Sequence, residues 1–143
     1  MPTRKASAEW NGGLKGGNGS FRGESGLAGS YSFGSRFENA KGSNPEELLA
    51  AAEAACFSMA LSGALERNGT PATNVATSAA CTVEKVTEGF GITRIALDVK
   101  ATVPKIDKAT FDRLVQETKV GCPVSKALKA VDIQVQAALT ALT

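Results

Sequence analysis

Gly42-Ser43-Asn44-Pro45-Glu46-Glu47-Leu48-Leu49-Ala50-Ala51-Ala52-Glu53-Ala54-Ala55-Cys56-Phe57-Ser58-Met59 decides how the rest of the chain is read, because it predicts the first half of a long helix. Asn44 can cap it, its side chain accepting from the unpaired amides of the first turn. Pro45 suits the first helical position, where its missing N–H would go unpaired anyway, and Glu46 and Glu47 complement the positive helix end. Leu48, Leu49, Ala52, Cys56, Met59 and Ala60 follow at mixed three- and four-residue spacing and predict a wide buried stripe with Cys56 inside it. Near Glu66-Arg67-Asn68-Gly69-Thr70-Pro71 the glycine supplies a left-handed cap and the proline forbids continuation. The helix is therefore expected over 44–68, about 36 Å long at 1.5 Å per residue.

The surroundings of that helix are bounded by composition. A chain of 143 residues is one ordinary domain with room for a real core, divided as amino-terminal strands over 1–41, the central helix over 44–68 and a strand and helix part over 75–143. Hydrophobic residues at 43%, charged residues at 21% and a net charge of +2 point to a soluble globular protein with neither nucleic acid nor membrane as a partner. Met1-Pro2-Thr3-Arg4-Lys5-Ala6-Ser7 lacks the apolar segment of a secretory signal, and no run approaches 18 consecutive apolar residues. A cytoplasmic location is expected. In a reducing compartment, three cysteines are more readily buried groups, ligands or reactive thiols than structural disulfides.

The chain contains no histidine, which removes the Ser-His-Asp and Cys-His hydrolase arrangements and every His-containing zinc site. Cys56, Cys81 and Cys122 form no C-x-x-C pair, so a thiolate metal site is not expected either. Chemistry at neutral pH then rests on a tuned Cys, Glu or Lys, and cysteine is the natural candidate.

Before the helix, Ala6 to Trp10, Ser20 to Glu24 and Tyr31 to Phe37 are strand material, separated by the turn signals Asn11-Gly12-Gly13 and Gly16-Gly17-Asn18-Gly19. Neither phosphate-binding glycine pattern is present, so these glycines are read as tight turns. After the helix, Ala79 to Val86 and Gly91 to Val103 read as strands, with Ile95, Leu97, Val99, Ala101 and Val103 sharing one face. A second helix is expected over 106–120, with Asp107 as cap, a staple between Ile106 and Phe111, and an end at Gly121. Pro123 opens a short third helix with Cys122 at its cap, and Val131, Ile133, Val135 and Ala137 alternate in a final strand. The order strands, helix, strands, helices, strand makes the fold class α+β.

The three thiols differ by context. Cys122 sits at a helix amino terminus, where unpaired N–H groups and the helix dipole favour thiolate. Cys56 lies about three turns into a helix, beyond the reach of the dipole, and needs a positive charge nearby if it is to react. By itself it also fits a small buried apolar residue. Cys81 has neither feature and reads as a core residue.

Gly42-Ser43-Asn44-Pro45-Glu46-Glu47-Leu48 and Ala54-Ala55-Cys56-Phe57, with Gly121-Cys122-Pro123-Val124-Ser125 far downstream, closely resemble the family of osmotically inducible protein C and the organic hydroperoxide resistance proteins. Two motifs in the right order, one around each cysteine, carry the resemblance over nearly the whole chain. It implies antiparallel sheets wrapped around a long central helix in an intertwined homodimer, with active sites at the subunit interface. It also implies a thiol peroxidase in which Cys56 is the peroxidatic thiol and Cys122 the resolving one, against the cap argument that favours Cys122 as the more acidic.

A guanidinium can stabilise a thiolate at Cys56, and Arg22 and Arg36 compete for that role. Gly12-Gly13-Leu14-Lys15-Gly16 lacks the early arginine of the organic hydroperoxide resistance branch, whereas Ser35-Arg36-Phe37-Glu38 resembles the osmotically inducible branch, so Arg36 is assigned. The family's carboxylate partner matches Glu46, which can hold Arg36 through a bidentate pair. Glu46 and Cys56 lie about 15 Å apart along one helix, so one arginine links them only by reaching or through the second subunit. The implied chemistry reduces an organic hydroperoxide to an alcohol through a Cys56 sulfenic acid and a Cys56–Cys122 disulfide, which an external dithiol of dihydrolipoyl type reduces. No cofactor or metal is called for. The competing readings are a non-catalytic dimeric module with core cysteines and a general thiol-disulfide oxidoreductase, the second weakened by the missing C-x-x-C.

Overall fold

Asn44 Oδ1 accepts from the Glu47 amide at 2.8 Å, Pro45 takes the first helical position, and a helix runs without interruption from Pro45 to Arg67. It is the longest element of the computed structural model, which describes residues 1–140; residues 141–143, the end of the expected carboxy-terminal part, lie outside the described residues. The order of elements is β1 (Ala6–Asn11), β2 (Asn18–Gly23), β3 (Ala28–Tyr31), α1 (Phe33–Phe37), α2 (Pro45–Arg67), β4 (Asn74–Val86), β5 (Gly89–Thr102), α3 (Lys108–Gly121), α4 (Pro123–Ala127) and β6 (Asp132–Thr140). The chain forms two compact units that divide between Leu48 and Leu49, in the first turns of α2. The fold class is α+β, with two sheets and a long helix.

The first unit holds an antiparallel sheet in the order β1-β2-β3, with Trp10 opposite Gly19 and Gly19 opposite Tyr31. A Cβ at Gly19 would lie 2.7 Å from atoms of both rings, so glycine is what lets Trp10 and Tyr31 close over the strand at 5.4 Å between centroids. Tyr31 to Phe37, expected as one strand, is a correction: the strand ends at Tyr31 and Phe33–Phe37 is helical. Ser32 and Ser35 decide this, because each side chain accepts the other's backbone N–H, at 3.1 and 2.8 Å, in a reciprocal capping box. Phe33 and Phe37 still meet, at 5.1 Å between ring centroids, through the four-residue period of a helix. Ser35 Oγ then donates to the Ser43 carbonyl at 2.7 Å and Asn44 Nδ2 donates to the Ser35 carbonyl at 3.0 Å, which ties α1 to the start of α2.

The second unit carries the core. β4 and β5 pair antiparallel, and Ile95, Leu97, Val99, Ala101 and Val103 are all buried on one face, as their alternation requires. β6 runs parallel to β5, from Arg94 opposite Asp132 to Thr102 opposite Thr140. The expectation of purely antiparallel sheets is thus corrected. α3 and α4 form a crossover long enough to return the chain to the same end of β5, which a hairpin cannot do. α3 opens with Asp107 accepting from the Thr110 amide at 2.9 Å, and buries Phe111, Leu114 and Val115.

α2 enters this core through Glu53, Phe57, Leu61 and Leu65, four residues at a spacing of four, all at 0% exposure. Each large apolar side chain so placed contributes about 1.5–3 kcal/mol of burial. The stripe expected from the sequence is a third correction: Ala52 is exposed, Met59 is 81% exposed and Cys56 is half-buried. By length and composition α2 could cross a membrane, an 18-residue window of it having a mean hydropathy of 1.6, but its Phe57-Leu61-Leu65 face is packed into the core of the second unit.

Candidate active site

Within the second unit the structure joins Cys56 and Cys122 in a disulfide across 66 residues, with their Cα atoms 6.3 Å apart, inside the ordinary range for a bridge. Cys122 reaches this position because α3 stops at Gly121 and the backbone of Cys122 leaves helical geometry, at φ −57° and ψ 127°. Its amide still closes α3 by donating to the Thr118 carbonyl at 2.9 Å, while its carbonyl accepts from the Lys126 amide at 2.9 Å and starts α4. Pro123 stands at the first position of α4 as expected. α4 has only five residues and Cys122 makes no side-chain cap hydrogen bond, so the helix-terminus argument for its acidity has little dipole to draw on. Cys122 is fully buried. Cys81 lies half-buried on β4 against the core and stands outside the bridge.

Beside the disulfide, Glu53 is fully buried one helical turn before Cys56, and its Oε1 accepts from the hydroxyl of Ser125, three residues after Cys122. Glu53 Oε2 has no hydrogen-bond partner among the described residues. Sequence reasoning gave this pair no role. Its signals were an acidic residue inside an alanine run, and equal three-residue spacings from Glu53 to Cys56 and from Cys122 to Ser125. Between α2 and the α3–α4 junction a groove of about 300 Å³ opens over Cys122, with Ala60, Ala64, Arg67 and Glu117 in its walls.

Within the first unit, Arg36 of α1 and Glu46 at the start of α2 form a forked ion pair. Arg36 Nε donates to both carboxylate oxygens, at 3.1 and 3.3 Å, and Nη2 donates to Oε1 at 2.9 Å. Glu46 is 4% exposed, so the pair is shielded from water on the carboxylate side. The guanidinium also lies over the Phe37 ring at 5.0 Å from its centroid. Arg22 is exposed on β2, beside a hollow of about 280 Å³ lined by Ser7, Ala8, Glu9, Ser20 and Phe21, which contains no thiol. Among the described residues, no group of three or more His, Cys, Asp or Glu side chains is placed to hold a metal ion.

The OsmC-like protein family model matches residues 38–136, a span that holds Cys56, Glu53, Glu46, Cys122 and Ser125. The chain is 50% identical over 129 residues to Peroxiredoxin OsmC of Escherichia coli, covering 89% of this chain and 90% of that one. It is 33% identical over 90 residues to the organic hydroperoxide resistance protein of Xanthomonas axonopodis pv. citri, covering 62% and 61%. Its fold is similar to that of a crystal structure of an organic hydroperoxide resistance protein OsmC from Legionella pneumophila, with a TM-score of 0.72, 21% identity, and 96% and 99% of the two chains covered. The match to OhrB of Bacillus subtilis has a TM-score of 0.69 at 23% identity, covering 94% and 98%. On the span of the family model and the identity to its relatives, the chain belongs to the OsmC-like protein family.

Proposed function

We propose that this protein is a cysteine-based peroxidase that reduces organic hydroperoxides to alcohols. The observation that carries the reading is the Cys56–Cys122 bridge, which joins the two family motifs and leaves Cys81 out. The names of the relatives, a peroxiredoxin and organic hydroperoxide resistance proteins, supply the substrate class. The Cys56 thiolate attacks the terminal oxygen of the hydroperoxide, the O–O bond breaks, and the alkoxide takes up a proton and leaves as alcohol. Cys56 is left as sulfenic acid. The Arg36 guanidinium, held by Glu46, stabilises the thiolate and the charge that develops on the peroxide oxygens. Cys122 then displaces the sulfenic oxygen as water and forms the disulfide. An external dithiol, of dihydrolipoyl type, enters by the groove over Cys122 and returns both thiols.

The working unit is a homodimer in the cytoplasm. α2 turns Ala51, Ala52, Ala55 and Met59 outward while its opposite face is buried, and a second subunit is the economical cover for a helix apolar on both sides. Sedimentation at micromolar concentration is expected to show a dimer, and a stable folded monomer there would remove the interface location of the site.

Stopped-flow mixing of the reduced protein with cumene hydroperoxide tests the activity. One equivalent is consumed rapidly with loss of two thiols. A non-catalytic module would not react, and a disulfide oxidoreductase would react with disulfide substrates in preference.

A further inference from the structure

The Glu53–Ser125 hydrogen bond is costly to keep. A fully buried carboxyl that uses one oxygen for a hydroxyl and leaves the other without a partner among the described residues loses more hydration than it regains. An alanine at this position would fit the neighbouring run and carry no such cost. The pair therefore calls for a function, and its placement suggests one. Glu53 and Cys56 are three residues apart on α2, and Cys122 and Ser125 are three residues apart across the start of α4. The disulfide and the hydrogen bond are thus two adjacent ties between the same two elements, one covalent and opened by reduction, the other free of sulfur.

We propose that Glu53 and Ser125 are positioning residues for the resolving step, a latch that keeps the Cys122 turn against α2 whenever the disulfide is open. The inference rests on the peroxidase reading above. In that step the Cys122 sulfur bonds to the Cys56 sulfur, the S–O bond of the Cys56 sulfenic acid breaks, and the hydroxyl leaves as water with the proton of the Cys122 thiol. The step is unimolecular, so its rate depends on how often the two sulfurs are held within reach. It also competes with a second hydroperoxide, which would carry the sulfenic acid on to the sulfinic level. Cys122 occupies a turn between two helices with its backbone hydrogen-bonded to Thr118 and Lys126, both local. Ser125 gives that turn a side-chain tie to α2 that does not depend on the oxidation state of sulfur.

Reduced protein mixed with cumene hydroperoxide in a stopped-flow instrument separates the two steps, since the first phase scales with peroxide concentration and the second does not. In Ser125→Ala and Glu53→Ala the first phase should stay within about twofold of the parent, while the second slows by about tenfold or more as the positioning is lost. Dimedone trapping of the sulfenic acid and a sulfinic mass at Cys56 should rise in parallel. Glu53→Gln, whose amide oxygen still accepts from Ser125, should restore the second phase to within about threefold. An unchanged second phase in Ser125→Ala, which removes a single oxygen and keeps the fold, would overturn the proposal. So would a Gln variant as slow as the Ala one, because the carboxyl would then act through its proton and not through its hold on Ser125. A parent protein with no first phase would instead refute the peroxidase reading.

Discussion

Glu46 holds the Nε–Nη2 edge of Arg36 through three contacts of 2.9 to 3.3 Å, and this leaves Nη1 outside the pair. A lysine in place of Arg36 could meet Glu46 as a point charge but could not engage one acceptor edge-on and present a further donor in a fixed plane.

Arg36 should control the reactivity of Cys56. Arg36→Ala is expected to slow peroxide reduction at neutral pH by about tenfold or more, with Arg36→Lys recovering little. Glu46→Ala should produce a smaller loss of the same kind, because the guanidinium keeps its charge and loses its anchor. Arg22→Ala should be near neutral. The measurement is the pH profile of Cys56 alkylation in a Cys81→Ser, Cys122→Ser background, which should move to higher pH when Arg36 is removed. A large shift from Arg22→Ala, with Arg36→Ala unchanged, would reverse the assignment.

The three thiols should separate cleanly by substitution. Cys56→Ser is expected to abolish peroxide consumption, and Cys122→Ser to permit one oxidation without efficient recycling by dithiol. Cys81→Ser should retain turnover. Peptide mapping after peroxide treatment should find Cys56 bridged to Cys122, and a Cys56–Cys81 bridge would remove Cys122 from the resolving role.

Organic hydroperoxides should react faster than hydrogen peroxide, but Phe57, the natural apolar neighbour in the sequence, cannot be the reason because it is fully buried in the core. Met59, three residues beyond Cys56 and 81% exposed, is the apolar contact that remains. An alkyl chain that buries against it gains about 0.8 kcal/mol per methylene, a gain hydrogen peroxide cannot share. Met59→Ala, which removes apolar area without adding a charge to the face assigned to the second subunit, should lower the rate constant for cumene hydroperoxide while that for hydrogen peroxide changes little. Equal rate constants for the two peroxides in the parent protein would sink the idea.

Asp107 should contribute acid-sensitive stability to α3. The Thr110 amide, and after it the Thr110 hydroxyl, hold its carboxyl below the ordinary value of 3.8. The folded state therefore binds this proton less readily than the unfolded state. The contribution is present above the unfolded value and disappears as pH falls through the folded one. Asp107→Ala should lower the urea midpoint at pH 7, and the gap to the parent should shrink as pH falls past 3.8. A gap that stays constant to low pH would show that the cap acts through something other than the ionised carboxylate.

Most of what the residues determine by themselves is local. The start of α2 follows from Asn44 and Pro45, the start of α3 from Asp107, and the buried face of β5 from a period of two, all set within a few residues of one another. Local patterns also have more than one solution. Phe33 and Phe37 meet on a strand face or a helix face equally well, and it took the Ser32–Ser35 box and the tie from Ser35 to Ser43 to choose the helix. Alternating Val131, Ile133, Val135 and Ala137 fits either strand direction, and only the α3–α4 crossover made β6 parallel. α2 has apolar and small residues on most of its circumference, so its sequence does not say which side is buried. The β5 face took the side of Phe57, Leu61 and Leu65, and Met59 was left outward. The site divides in the same way. Cys56, Cys122 and Glu46 could be named as candidates from two motifs and Arg36 from Ser35-Arg36-Phe37-Glu38, whereas Glu53 and Ser125, 72 residues apart, acquired a relationship only when α3 carried the Cys122 turn back to α2. A hydrogen bond between residues so distant in sequence has no periodicity to announce it, and packing alone brings its partners together.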